Sequence, residues 1–129
     1  MIDAANGEPT MKYLCQVWFE PATLEAMTDD EKRSLDRASL DYDDDLVASG
    51  HMLTAHALQS PKSAITVRVR NGEMSVTDGP FAETKEQLGG FILIDAKDLN
   101  DAIRVAAGIP LAKLGSIEVR PIYDIPVHT

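Results

Sequence analysis

Cysteine occurs once in 129 residues, at position 15. One thiol excludes an internal disulfide framework and points to a reducing, cytoplasmic setting. No apolar run approaches the ~18 residues that suggest a membrane span. The opening MIDAANGEPT lacks the basic start and apolar stretch of a signal peptide. Being polar and turn-rich, residues 1–10 are expected to form a disordered tail, with Met11 as a second start site and one domain over 11–129. Basic residues are scarce: 12 Lys and Arg stand against 21 Asp and Glu, for a formal net charge of −9. No Lys/Arg cluster offsets that charge, so nucleic acid and anionic membranes are excluded as expected partners, and a small molecule or another protein is favoured. Three histidines without close spacing make no metal motif, and no metal or cofactor is expected. Repeats, low-complexity tracts and interdomain linkers are absent too.

What is present reads as alternating strands and helices. Lys12 to Phe19 (KYLCQVWF) is a β-rich run bounded by Pro21, with Tyr13, Cys15, Val17 and Phe19 on one face and Leu14, Gln16 and Trp18 on the other. Thr28 with Glu31 three residues on is a capping-box signature. It opens a helix of roughly twenty residues in which Leu35, Ala38, Ser39, Tyr42 and Leu46 recur at helical spacing and Gly50 supplies the stop. His51 to Leu58 is a strand candidate. Ala64 to Arg70 alternates, Asn71-Gly72 is a hairpin turn because both residues tolerate positive φ, and Met74 to Thr77 returns. Phe91 to Asp95 reads as a short apolar strand. Asp98 caps a helix running to about Ala107, and Ser116 to Ile122 alternates again before an irregular tail.

This order predicts an α+β ferredoxin-like sandwich with a mainly antiparallel sheet. Two helices cover only one face of such a sheet. The other face should carry Leu14 or Cys15, Trp18 or Val17, and polar residues drawn from Thr66, Arg68, Glu118 and Arg120. A mixed face of that kind needs a partner, which predicts a homodimer whose paired sheets enclose a barrel-like interior.

The stretch SVTDGPFAETKEQLGGFILID, residues 75–95, holds the chemistry. Asp before Gly is turn chemistry, Pro80 stiffens the corner, and Phe81 is expected to peg the loop to the core. Gly89-Gly90 lets the chain enter a central strand close to a neighbour. A stiff loop is also a good holder for a carboxylate, since catalytic groups need fixed geometry. Asp78, Glu83, Lys85 and Glu86 set three acids and one base within nine residues, where crowded carboxylates separate into acid and base and Lys85 can hold an anion. His56 is the candidate proton-transfer partner, ahead of His51 and of His128 in the tail. Arg68 and Arg120, if they face the interior between sheets, need Glu118, a neighbouring subunit's acid or an anionic ligand. Asp41, Asp43, Asp44 and Asp45 read as a solvated helix face, because one continuous helix cannot wrap consecutive aspartates around an ion. Cys15 reads as a small core residue, and Trp18 as packing or dimer contact.

VTDGPFAETKEQLGGFILIDAKDLNDAI, with AITVRVRNGEMSVTDGPF upstream and GSIEVRPI near the end, resembles the DGPF-type proteins of the YCII-related family from about Met11 to Ile125. That resemblance implies a dimeric α+β barrel of ferredoxin-like subunits and a site around Asp78 at a cleft associated with the dimer. Some YCII-type relatives are similar to lyases that eliminate chloride using a histidine and an aspartate. This chain keeps the aspartate but has no histidine in its first long helix, where Tyr42 and four aspartates stand instead. DGPF-type genes also occur beside genes for extracytoplasmic-function sigma factors. The expectation is therefore a cofactor-independent lyase or hydrolase with Asp78 and His56 as the acid/base pair and Phe81, Lys85, Arg68 and Arg120 holding substrate. The alternative is a non-catalytic ligand-binding or regulatory module.

Overall fold

The computed structural model describes residues 9–127; residues 1–8 of the expected tail, and His128, lie outside the described residues. Strand β1 (Met11–Phe19) leads through a short helix α1 (Pro21–Glu25) into the long helix α2 (Asp29–Ala48) and strand β2 (Met52–Ala57). A hairpin of β3 (Ile65–Arg70) and β4 (Glu73–Asp78) follows, then β5 (Gln87–Ala96), α3 (Leu99–Gly108) and β6 (Ser116–Pro121). Four strands make one sheet in the order β2-β5-β1-β6, with each neighbouring pair antiparallel. This is a ferredoxin-like α+β fold: two strand–helix–strand units, β1-α2-β2 and β5-α3-β6, interleave their strands.

Local chemistry explains the boundaries. The hydroxyl of Thr28 accepts the Glu31 N–H (3.1 Å) while the Glu31 carboxylate accepts the Thr28 N–H (3.0 Å), closing the capping box of α2. The Asp98 carboxylate accepts the Asp101 N–H at 2.8 Å and starts α3. Asn71 and Gly72 both take positive φ, 54° and 77°, the pairing a two-residue hairpin turn demands.

The core lies between the helices and one face of the sheet. Tyr13, Cys15 and Val17 of β1 and Ile92, Ile94 and Ala96 of β5 pack with Leu46 of α2 and Ala102, Val105 and Ala106 of α3. Cys15 is wholly buried, and burial pushes its thiol up to about 11, which makes it inert packing rather than a nucleophile. On the opposite face Leu14, Gln16 and Trp18 are only half-buried, as are Leu88, Phe91 and Leu93, and no helix among the described residues covers them.

Four expectations need correction. Strand β5 begins at Gln87, not Phe91, so Gly89 and Gly90 lie within it. Val17 pairs with Gly90 and Trp18 with Leu88, which leaves Gly89 as an extra, bulged residue. The ring of Phe19 lies where a Gly89 side chain would go, and a Cβ on Gly90 would stand 2.9 Å from the His56 carbonyl oxygen. Helix α1 is the second difference: Pro21 at its first position presets φ and lacks only an N–H that would go unpaired anyway. Third, β3 and β4 form a separate two-stranded hairpin, so Thr66 and Arg68 are off the main sheet, whereas Glu118 and Arg120 lie on its open face. Fourth, Phe81 is 79% exposed and does not peg its loop to the core.

Candidate functional site

The corner after Asp78 is fixed by backbone rather than by its carboxylate. Gly79, at φ 94°, donates its N–H to the Ala64 carbonyl (2.7 Å), and the Thr66 hydroxyl donates to the Gly79 carbonyl (2.9 Å). Asp78 pairs with Ile65 across the hairpin, is exposed, and its carboxylate has no hydrogen-bond or ion-pair partner among the described residues. The loop then turns toward the sheet, where the Gln87 amide donates to the Thr84 carbonyl (2.8 Å) and braces the approach to β5.

A cavity of about 620 Å³ opens between this loop, the root of the hairpin and the edge of the open sheet face. Trp18 and Leu88 form its floor. Leu58, Pro61, Ile65, Pro80 and Phe81 form walls, with Gln59, Ser60 and Thr84 as polar points. Among the described residues no ionisable side chain lines it. A volume of this size suits a small organic ligand, and the lining suits an apolar body with few polar groups. Two of the lining hydroxyls are already committed: Thr66 donates to Gly79, and Thr84 to the Glu86 carbonyl.

The expected site residues disperse. Phe81 lines the cavity. Lys85 is exposed and pairs with Glu20 at 3.4 Å, away from any anion site. Arg68 projects from the free hairpin and is exposed. Arg120 pairs with Glu118 at 2.9 Å on the open face, the intramolecular partner anticipated for it. His56 lies on β2, its Nε2 3.1 Å from the Thr54 hydroxyl and its ring 5.7 Å from that of Phe91. No hydrogen bond links His56 to Asp78.

A different histidine does meet an aspartate. His51 Nε2 lies 3.0 Å from Oδ2 of Asp101, and its Nδ1 lies 2.7 Å from the Ser49 hydroxyl. Asp101 is 7% exposed and also accepts the Lys97 N–H (3.0 Å) and an N–H of Arg104 (3.3 Å). Burial alone would raise its carboxyl, but those donors together with His51 hold it below the usual carboxylate range. Serine, histidine and buried carboxylate are within relay distance, yet the N–H groups of Ser49, Gly50 and His51 are all spent on the carbonyls of Asp45, Val47 and Leu46. With no donor left there to hold an oxyanion, the cluster fastens the end of α2 to the start of α3 rather than activating Ser49. Sequence reasoning missed Asp101 because its partner lies 50 positions away. The spacing Asp98-x-x-Asp101 was a usable signal for a carboxylate turned back on its own helix start.

Among the described residues no group of three or more His, Cys, Asp or Glu converges as a metal site, and no helix is long and apolar enough to cross a membrane. Residues 11–126 match the YCII-related domain. An uncharacterised protein of Rhizobium meliloti (strain 1021) is 45% identical over 78 residues, which make up 59% of this chain and 63% of that protein.

Proposed function

The chain belongs to the YCII-related family, and from that premise we propose that it is a binding module for a small, uncharged, largely apolar molecule, working as a homodimer. The observation that carries this reading is the 620 Å³ cavity between Trp18 and Phe81, apolar in its walls and lined by no ionisable group among the described residues. A flat aromatic or alicyclic body fits between two aromatic side chains, and the side chains of Gln59 and Ser60 offer polar contacts at the edge. The open sheet face adjoins the same crevice through Trp18, so a second copy packed there would lie beside the ligand. A metabolite sensor takes this form, which agrees with the regulatory setting that the family resemblance implies.

An acid/base enzyme, a lyase or hydrolase centred on Asp78, is the second reading. It is favoured by the backbone-fixed corner that holds Asp78, unpartnered among the described residues, two positions before Pro80 of the cavity wall. Among the described residues no proton-transfer partner hydrogen-bonds or ion-pairs with it, which favours binding over catalysis.

Trp18 is the only tryptophan, so its emission reports occupancy without a label. Titration with a panel of neutral aromatic and heteroaromatic compounds should shift or quench that emission saturably. Phe81→Ala should weaken the response about tenfold or more, since a stacked aromatic contact is worth roughly 1 kcal/mol beyond its buried area. The melting temperature should hardly move, because Phe81 is exposed in the empty protein. Asp78→Asn should leave both affinity and stability nearly unchanged, within about 0.5 kcal/mol. Turnover of a bound compound that disappears in Asp78→Asn would instead establish the enzyme.

A further inference from the structure

A second cavity, of about 550 Å³, lies under α2 on the helix-covered side of the β2 edge. Its floor is apolar: Val17, Phe19, Ala55, Leu58 and Ile92 from the sheet side, closed by Leu111. The roof is α2, which turns Asp36, Ser39 and Asp43 toward the opening at helical spacing i, i+3, i+7. Aromatic rings of Phe19 and Tyr42 also border it.

The charges here are unbalanced. Asp36 and Asp43 both line the cavity with no lysine or arginine, the ring of the lining residue His56 is engaged with the Thr54 hydroxyl and Phe91, and neither carboxylate has a hydrogen-bond or ion-pair partner among the described residues. Tyr42 cannot serve them, since its hydroxyl donates to the Val105 carbonyl at 2.6 Å. Asp43 is half-buried while Asp41, Asp44 and Asp45 are exposed, so it stands apart from the solvated run around it. Burial, and then the neighbouring Asp44, push its carboxyl above the usual range, a cost that an opposite charge would remove. A hard divalent ion is a poor match. Seven helical residues separate the two carboxylates by about 10 Å along the axis, too far to share one ion that wants six or more oxygens. A cation with an apolar body matches both features: the charge meets Asp43 and an aromatic face, and the body fills the floor.

We propose that this cavity binds an organic ammonium ion carrying an apolar group, with Asp43 as its counter-charge and Asp36 at the entrance. The site is separate from the crevice beside Trp18 and stands whether or not that crevice binds a ligand.

Benzyltrimethylammonium, the neutral benzyl alcohol and the anionic benzoate share a ring and differ in charge, so calorimetric titration with the three isolates the electrostatic part. The cation should bind at least about tenfold more tightly than benzyl alcohol, with benzoate weakest. Asp43→Asn should remove most of that preference, while Asp44→Asn, one position along and facing solvent, should retain it. If Asp43→Asn fails to fold, Asp36→Asn, exposed at the entrance on the same helix, should show a smaller loss in the same direction. The wild-type backbone amide signals of α2 should move on titration. Equal affinity for the three probes, or a cation affinity indifferent to both Asp43→Asn and Asp36→Asn, would overturn the proposal. So would signals that move only around Trp18 and Phe81.

Discussion

Asp101 is the one buried acid among the described residues. It is buried, takes donors from Lys97, Arg104 and His51, and so ties the start of α3 to the residues just after α2. Removing its charge should cost about 1.5–3 kcal/mol, the usual loss for hydrogen bonds to a charged group. The pH dependence has a definite sign. Its carboxyl is depressed in the folded state, so its contribution is fully present above the unfolded value of about 3.9 and is lost as pH falls through the lower folded value. Urea unfolding of wild type and Asp101→Asn should therefore differ by the full amount at neutral pH, and the gap should close in the acidic range. A gap that persists undiminished there would mean the carboxylate's charge is not what stabilises. At this scale the sequence was legible where partners are local and opaque where they are not. The capping pair Thr28 and Glu31 and the packing role of Cys15 could be read directly. The meeting of His51 with Asp101 depends on how two helix ends are brought together, and no local pattern encodes that. Phe81 was misread for a related reason: an aromatic beside Pro80 suggests a peg, but the corner is already held by Gly79 and Thr66.

Among the elements, β5 shows best how a strand can hide. Gln87-Leu88-Gly89-Gly90 has poor strand propensity, because two glycines add backbone freedom and no side-chain packing. The fold nevertheless requires glycine there. The Phe19 ring covers Gly89, and β2 passes so close that a Gly90 side chain would stand 2.9 Å from one backbone oxygen of His56 and 3.3 Å from the Cα of Ala57. The sequence reading recognised the close approach but placed it before the strand instead of inside it. Because the obstruction at Gly90 is backbone, which cannot rotate away, Gly90→Ala should destabilise by about 1–3 kcal/mol, the range for overpacking a tight site. Hydrogen exchange should localise the damage to β2 and the first half of β5, with β6 spared. An Ala variant as stable as wild type would show that β2 can move aside. Helix α2, by contrast, was legible almost to the residue, since its cap, its apolar spacing and its stop all agree. What the spacing did not reveal is that one aspartate of the 41–45 run turns inward; that depends on where β2 and the short helix α1 leave a gap.

Taken whole, the described residues lay helices on one face of the sheet and leave the other without a helical cover. Leu14, Trp18, Phe91 and Leu93 line the bare face with Gln16, Glu118 and Arg120 among them, and on the hairpin Ile65, Val67, Val69, Met74 and Val76 are 56–70% exposed. An apolar surface on this scale is a mark of an interaction site. The charge distribution shapes what kind of association to expect. Each copy carries −9, so two copies repel at long range, and the proposed homodimer would have to be held by contact between apolar faces. Two consequences can be measured by sedimentation equilibrium. Raising the ionic strength should tighten the proposed homodimer, because screening removes repulsion faster than it affects buried contacts. Leu93→Asp, which sets a charge between Leu14 and Thr54 on the neighbouring strands, should weaken the dimer by about 2 kcal/mol or more, roughly thirtyfold, as charges are depleted at interface centres. Circular dichroism should show the variant still folded, since Leu93 lies outside the core between sheet and helices. A wild type that stays monomeric at every concentration and salt would refute the dimer; a Leu93→Asp variant that dimerises undisturbed would move the interface off the sheet and onto the hairpin.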